Sequence, residues 1–195
     1  MKKMMLLAAV MLLGMSAVAE KVDATDARIT FVGRSVVEKG SYTFDFPSTY
    51  FRVKFEGTKL SMKVTDSKRN FYAVWVDTPT WDEPTRIVEV KGKNQVIDLV
   101  LPADVDSSEV VEHQVVIQRR TEANCGKTTV KKFITDGKFL QAEPLKTRQI
   151  EFIGDSYTCG YGVEAPSRRD PFTDETENAS RTYASIVSRY FDADY

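Results

Sequence analysis

The chain has 195 residues, of which 42% are hydrophobic and 28% are charged, so it can bury a core and is not a disordered tail. Its 27 Lys and Arg residues against 28 Asp and Glu residues give a formal charge of -1. This balance excludes the strongly basic surface of a nucleic-acid-binding protein.

The N-terminus has the pattern of a secretory signal peptide. Lys2 and Lys3 precede an apolar stretch over residues 4–15, and Ala17-Val18-Ala19 offers a small-x-small cleavage site. The stretch is too short for a membrane-spanning helix, and its flanking residues do not fit one. The alternative to a signal peptide is a buried N-terminal helix. We therefore expect a signal peptide at residues 1–19, a secreted or periplasmic mature protein, and no membrane association after cleavage.

A period of two in the side-chain pattern predicts β-strands from Arg28 to about Leu140. YFRVKFEG alternates apolar with charged side chains, KLSMKVTD repeats the pattern, and the link between them reads as a tight hairpin turn. Further strands are predicted at 42–46, 70–77, 85–91, 95–101, 113–120, 128–135 and 138–142. Many short, half-buried strands indicate an antiparallel β-sandwich or jelly roll over residues 20–145.

The pattern changes at residues 146–195. Residues 149–153 form a short apolar run, typical of a parallel strand that is buried on both faces. A glycine-rich turn and a polar loop follow, and the segment 178–195 then places apolar residues at helical spacing, namely Tyr183, Ile186, Val187, Tyr190 and Phe191. The chain is thus predicted to be mainly β, with the first strand, loop and helix of an incomplete α/β domain after the sandwich, and nothing after the helix.

A serine occupies the turn that follows the predicted parallel strand. Catalytic groups of α/β proteins gather at the carboxyl ends of such strands, and Ser156 would project from this end. Gly154 allows a sharp turn, Asp155 is expected to brace it by accepting backbone N–H bonds, and Gly160 lets the following loop approach a substrate. Backbone N–H groups of the turn could face an oxyanion.

Two families resemble different parts of the chain. The block GDSYTCGYG resembles the first motif of SGNH (GDSL-type) hydrolases, and Thr158 and Gly160 extend that match. Thr158 stands where the nucleophile elbow of α/β-hydrolases has its second glycine, so the elbow fits less well. The β-rich part resembles the N-terminal jelly roll of carbohydrate esterase family two, whose members are described as acetyl-xylan or acetyl-glucomannan esterases. The stretches that carry this resemblance are VGR, FRVKFEGTKLSMKV, HQVVIQRRTEAN and TENASRTYASIVSRYF.

The resemblance implies a flavodoxin-like SGNH domain that acts on acetylated polysaccharide or oligosaccharide. Ser156 matches the nucleophile, its own backbone N–H matches one oxyanion donor, and no metal or cofactor is implied. The later SGNH blocks, which supply an oxyanion glycine, the Asn of Gly-x-Asn-Asp and the base of Asp-x-x-His, do not occur in the chain. We therefore expect a C-terminally truncated esterase that is inactive alone.

The role of several residues has two possible interpretations. His113, the only histidine, reads as a hydrogen-bonded core or rim residue rather than as a substitute base. Cys159 fits a small filler of the turn or a thiol nucleophile, and it could pair with Cys125 in an oxidising compartment. Trp81 and Tyr161 are candidate substrate-binding aromatics, the alternative for a tryptophan being a place in the core.

A function of a different class remains open at this point. The chain could act as a non-catalytic β-sandwich module that binds carbohydrate or packs against another domain, with the α/β part a remnant. A weaker third reading is a thiol-based or structural role. The sequence gives no indication of the oligomeric state.

Overall fold

The structure is a computed structural model that describes residues 19–105 and 111–195. The predicted signal peptide lies outside the described residues, apart from Ala19. The described residues form twelve strands in two antiparallel sheets, which confirms the predicted β-sandwich. Within them, no helix is both long enough and apolar enough to cross a lipid bilayer.

The strands follow closely the runs of alternating polarity. They are β1 Glu20–Asp23, β2 Thr30–Val32, β3 Val36–Glu38, β4 Ser41–Phe44, β5 Tyr50–Glu56, β6 Leu60–Asp66, β7 Arg69–Val76, β8 Arg86–Lys91, β9 Gln95–Val100, β10 Glu112–Arg119, β11 Thr128–Thr135 and β12 Lys138–Leu140. The two α-helices are α1 Ser156–Cys159 and α2 Tyr183–Tyr190. The three short N-terminal strands were not among the individual strands predicted.

Each sheet has five strands side by side, and a sixth strand pairs with the remaining part of one edge of an inner strand. The first sheet has the order β3-β4-β11-β6-β9, and β1 pairs with the half of β11 that β4 leaves free. The second sheet has the order β12-β5-β10-β7-β8, and β2 shares one edge of β5 with β12. The core lies between the sheets, where alternate side chains of both inner faces meet.

Aromatic rings fill one part of this core. The Phe51 ring contacts Phe31 and Phe133 edge-on, with centroids 5.0 and 5.2 Å apart. Trp75 and Tyr72 are each only 1% exposed and belong to the sandwich rather than to a ligand surface. The Tyr72 hydroxyl donates to Thr128 Oγ1 at 2.7 Å, which satisfies the polar end of the ring.

The predicted hairpin between β5 and β6 is wrong. The two strands lie in different sheets, so the link between them crosses from one sheet to the other instead of turning back. The Asp136 carboxylate, from the link between β11 and β12, accepts the N–H groups of Thr58 and Lys59 at 2.9 and 3.0 Å. This distant side chain holds the link in place, and a local turn pattern could not show it.

The C-terminal segment packs against the second sheet. The predicted strand at 149–153 is reduced to a single parallel bridge between Gln149 and Asp194, because a strand needs backbone partners and only Asp194 supplies them. Asp194 follows the helix α2, so this bridge places backbone parallel to the predicted strand where the sequence pattern indicated nothing after the helix. The Asp194 carboxylate accepts the Tyr50 hydroxyl at 2.6 Å and the Lys146 N–H at 2.7 Å, which fixes the segment to β5.

The helix α2 turns its small residues inward. Ala184, Ser185 and Ser188 are buried, whereas Ile186 and Tyr190 are 55% and 81% exposed. The apolar side chains that the sequence places at helical spacing thus lie mostly on the exposed face. Small side chains let the helix approach the backbone beneath it, where Ser185 Oγ donates to the Ala179 carbonyl at 2.7 Å.

Candidate active site

The turn that carries Ser156 is built by its two neighbours. Asp155 precedes α1 and its carboxylate accepts the N–H of Tyr157 at 3.1 Å, which caps the helix. Gly160 ends the helix in the left-handed conformation with a φ of 78°, and its N–H donates to the Ser156 carbonyl at 3.1 Å. A Cβ at Gly160 would lie 2.4 Å from the Asn178 carbonyl oxygen, so only glycine fits here.

The side chain of Thr158 folds back over the start of the turn. A Cβ added to Gly154 would lie 2.0 Å from Thr158 Oγ1, so the glycine is required by lack of space. Thr158 Oγ1 is in turn 2.8 Å from the hydroxyl of Tyr183, at the start of α2. Thr158 therefore links the serine turn to the following helix, which accounts for a threonine where the nucleophile elbow has glycine.

Ser156 is exposed at the first position of α1. Its N–H donates to no acceptor among the described residues, as is usual for the first N–H groups of a helix. The next three N–H groups all donate to Asp155, through its side chain or its carbonyl. The Ser156 N–H is thus a donor that remains available to a developing oxyanion.

A cleft of about 860 Å³, which we call the serine cleft, opens in front of Ser156. The loops at 32–34 and 46–49 of the β-domain line one wall, and residues 149–156 line the other. Arg34 and Glu151 form an ion pair of 2.6 Å between these walls. The jelly roll therefore shapes the cleft together with the serine turn.

The two predicted substrate-binding aromatics lie in different places. Tyr161 lines the serine cleft and stacks on Phe172, with ring centroids 3.5 Å apart and planes 10° apart. Trp81 does not line this cleft; it is 68% exposed in the loop between β7 and β8. Phe46, which the sequence did not single out, lines the cleft and is 52% exposed.

A buried arginine holds the loop behind the serine turn. Arg120 follows β10, is 2% exposed, and pairs with Glu164. Its guanidinium also donates to the carbonyls of Glu175 and Glu177, at 3.2 and 3.3 Å. The adjacent Asn178 N–H donates to the Gly160 carbonyl at 3.1 Å, so the same loop reaches the end of the serine turn.

Glu177 buries its carboxyl group between the two parts of the chain. It is 0% exposed and accepts the N–H of Glu122, from the β-domain, at 3.0 Å. The thiol of Cys125 lies 3.8 Å from Glu177 Oε2. The Cys159 thiol, which donates to the Ser156 carbonyl at 3.4 Å, lies within 4.8 Å of the same carboxyl group. Burial, assisted by the nearby charge of Glu122, raises the pKa of Glu177 to about 7.

The two cysteines are free and buried. Burial raises the pKa of each thiol to about 12, with the charge of Glu177 adding to the effect. Donor atoms of Glu122, Cys159 and Glu177 lie within 4.8 Å of one another, which is spacing that a metal ion could bridge. The pKa values of the Cys159 thiol and of the Glu177 carboxyl are both raised. A metal ion could bind these groups only by displacing the protons that they hold.

His113 is remote from this chemistry. It is 3% exposed on β10, and its Nδ1 lies 2.7 Å from the Asp77 carboxylate. Asp77 lines a different cavity from the one in front of Ser156. His113 is therefore a hydrogen-bonded residue of the sandwich and not a base for the serine.

Sequence reasoning missed the residues that fix the turn to the β-domain. Arg120 and Glu177 lie within stretches that resemble the family, but their residue types and spacing indicated no role for either in fixing the turn. In the structure Asn178 caps only a short 3-10 turn, accepting the Ser180 N–H at 3.0 Å, and Glu177 points to the sandwich. The contacts from Arg120 and Glu122 to Glu177 span 57 and 55 residues, so no local signal reveals them.

Comparisons with known proteins converge on one family. Residues 31–144 match the family described as "Carbohydrate esterase 2 N-terminal". The chain is 34% identical over 173 residues to an acetylxylan esterase / glucomannan deacetylase of Cellvibrio japonicus, which covers 84% of this chain and 44% of that protein. It superposes with a TM-score of 0.76 on a family two carbohydrate esterase from Clostridium thermocellum in complex with cellohexaose, at 29% identity, covering 85% of this chain and 49% of that one. A family two esterase structure from Cellvibrio japonicus, at 24% identity with a TM-score of 0.77, shares the fold over 90% of this chain and 50% of that one. The chain thus spans about half the length of these relatives or less.

Proposed function

The chain belongs to carbohydrate esterase family 2, and from that premise we propose that it is part of a secreted enzyme that removes O-acetyl groups from plant-type polysaccharide. The observation that carries the proposal is the setting of Ser156. This serine is exposed at the first turn of α1 and retains an uncommitted N–H, in a cleft that the β-domain and the serine turn form together. That setting suits a nucleophile of SGNH type.

In the proposed reaction, Ser156 Oγ attacks the carbonyl carbon of a sugar acetate. The carbonyl oxygen becomes an oxyanion, which accepts the Ser156 N–H. The bond from that carbon to the sugar oxygen breaks, and the sugar leaves with the proton that Ser156 gave up. Water then attacks the acetyl-serine and releases acetate. No metal or cofactor takes part in this proposal.

A serine of ordinary pKa needs a base within about 3 Å to attack at a useful rate. Among the described residues none hydrogen-bonds to Ser156 Oγ, and His113 is committed to Asp77. We therefore expect these 195 residues alone to be inactive, with the general base supplied by a longer gene product. In this proposal residues 20–145 form the β-domain and residues 146–195 form the start of the catalytic domain.

The substrate class follows from the relatives and from the cleft. A relative is named acetylxylan esterase / glucomannan deacetylase, and a structural neighbour was solved with cellohexaose. Phe46 and Tyr161 offer exposed aromatic surface within the serine cleft, which suits the apolar faces of pyranose rings. We assign acetylated xylan or glucomannan chains to this cleft.

The activity test compares two proteins. The 195-residue chain should hydrolyse 4-nitrophenyl acetate at the background rate. The full product of its gene should release acetate from acetylated xylan or glucomannan, and Ser156→Ala should lower this rate by at least about 10³-fold. Ser167→Ala, a matched change in the exposed loop after the turn, should leave the rate unchanged. Equal rates of the Ser156→Ala variant and the unmodified product would refute the assignment.

The secreted location is tested separately. N-terminal sequencing of the protein recovered outside the cytoplasm should begin at Glu20, after the site at Ala17-Val18-Ala19. A protein that retains Met1 to Ala19 in the cytoplasm would overturn the secretion proposal and leave the esterase proposal standing.

A further inference from the structure

A second cavity lies on the outer face of the second sheet. This outer groove has a volume of about 490 Å³, within the range of small-molecule sites. Its floor is formed by outward residues of β5 and β10, and its rim by residues 77–80 and by the C-terminal segment. We propose that the outer groove binds a short, uncharged oligosaccharide, at a site other than the serine cleft.

The charges in the groove are matched in pairs. Lys54 Nζ lies 2.5 Å from the Glu112 carboxylate, and Lys146 Nζ lies 2.6 Å from Asp192. Other charged side chains of the lining are Glu143 and Arg189, which have opposite signs and no ion pair among the described residues, and Asp77, whose carboxylate lies 2.7 Å from His113 Nδ1. The groove therefore carries little net charge to attract an ion, and the Asp77 carboxylate can accept a sugar hydroxyl, so the groove favours a neutral polar ligand.

The groove also offers hydrogen-bonding groups that the fold does not use. The side chains of Gln114, Thr78 and Thr80 line it, and none of them hydrogen-bonds to another described residue. A glutamine amide both donates and accepts, as a hydroxyl does, so these groups can meet sugar hydroxyls of either orientation. Val116 and Pro79 supply apolar surface between them. Amides and hydroxyls interleaved with apolar patches match the alternating hydroxyl and C–H surfaces of a pyranose.

Trp81 adds an exposed aromatic side chain beside this groove. It follows Thr80 in the chain and exposes 68% of its surface, although a tryptophan is usually largely buried. Its loop is held by three contacts: the Asp82 N–H donates to the Pro79 carbonyl at 3.1 Å, the Asp82 carbonyl accepts the Trp75 indole N–H at 3.0 Å, and Glu83 pairs with Arg181. An exposed indole on an anchored loop is a rigid surface on which a sugar ring can stack.

The test is a titration of the 195-residue chain with three neutral probes, xylohexaose, mannohexaose and cellohexaose. At least one should bind, and Trp81→Ala should weaken that binding by at least about tenfold, the effect of losing one anchoring aromatic. Gln114→Ala should weaken it about threefold or more. Tyr190→Ala, which removes an 81% exposed aromatic that lines neither cavity, is the matched control and should leave the affinity unchanged. Phe46→Ala tests whether the sugar binds in the serine cleft instead.

Spectroscopy locates the bound sugar independently of folding. The fluorescence of Trp81 should shift to the blue and become protected from iodide when the sugar binds, whereas the buried Trp75 should not respond. The absence of binding by all three probes overturns the proposal. So does binding that Phe46→Ala abolishes and Trp81→Ala leaves intact, since the sugar would then lie in the serine cleft. Neither result bears on acetate release by Ser156, which the assay of the full gene product tests.

Discussion

Asp194 and Arg52 form a buried ion pair, although 142 residues separate them in the chain. The Arg52 side chain is 9% exposed and that of Asp194 only 1%. Arg52 also donates to the Pro144 carbonyl at 2.7 Å, so its guanidinium spans the junction between the sandwich and the C-terminal segment. The pair joins the parallel bridge at Gln149 and Asp194 to strand β5 of the second sheet.

The first prediction concerns this pair. Asp194→Ala should lower the free energy of unfolding by about 3–5 kcal/mol, because it leaves a buried guanidinium without a counter-charge. The double change Arg52→Met with Asp194→Leu should cost less than Asp194→Ala alone, since it leaves no buried charge behind. Urea denaturation of the three proteins measures the differences. A double variant less stable than the single one would contradict the expected coupling.

The second prediction concerns the pH dependence of stability. The pKa of Glu177 is about 7 in the folded state and 4.5 in its ordinary state, so the folded protein retains a proton that the unfolded chain releases. The stability that this group contributes is complete below pH 4.5 and is lost as the pH rises to about 7, a loss of roughly 3 kcal/mol. Glu177→Gln cannot ionise and should remove this slope.

Urea denaturation at several pH values between 4.5 and 8 measures this slope. Glu175→Gln is the matched control, because Glu175 is exposed and its Arg69 partner and the backbone lower its pKa, so its titration lies below this window. An unchanged slope in Glu177→Gln would show that another group is responsible.

The third prediction concerns the glycine before the serine turn. Gly154→Ala should destabilise the turn by about 1–3 kcal/mol, because its methyl group collides with Thr158 Oγ1. Thr158→Ala removes the obstacle, so Gly154→Ala should cost less than half as much in that background. Urea denaturation and hydrogen exchange of the amides at 155–160 measure both costs. Equal costs in the two backgrounds would show that Gly154 is needed for another reason.

The fourth prediction concerns the thiols. Cys125 and Cys159 are buried with pKa values of about 12, so neither should react with a disulfide reagent at pH 8 while the protein is folded. Both should react after unfolding in urea. Tyr157→Cys places a thiol on a side chain that is 82% exposed and should react at once, which serves as the positive control. An intact mass two units below that of the reduced chain would instead reveal a disulfide.

The strands were predictable because their signal is local. Alternating apolar and charged residues in 50–56 and 60–66 determine where those strands run, and the structure has them there. The pairing of the strands was not predictable in the same way, since Asp136 holds the link between these two strands from about 80 residues away along the chain. Which sheet a strand joins is decided by such distant contacts.

The candidate site shows the same difference between local contacts, which were predictable, and distant contacts, which were not. The contact of Asp155 with Tyr157 spans two residues, and the glycine-rich motif suggested this kind of brace. The attachment of the turn to the sandwich, through Glu177 and Arg120, depends on contacts between distant segments. The apolar spacing in α2 indicated a helix but not its buried face, because an apolar stripe is buried only where a partner covers it.

The position of Asp194 also has a consequence for synthesis. The chain leaves the ribosome N-terminus first, and the sandwich is complete once β12 has been made at Leu140. Asp194, whose carboxylate pairs with Arg52, is added to the chain more than 50 residues later. A nascent chain interrupted within that interval holds a finished sandwich with an uncompensated cation at its surface, so the synthesis of Asp194 decides when the sandwich reaches its final stability.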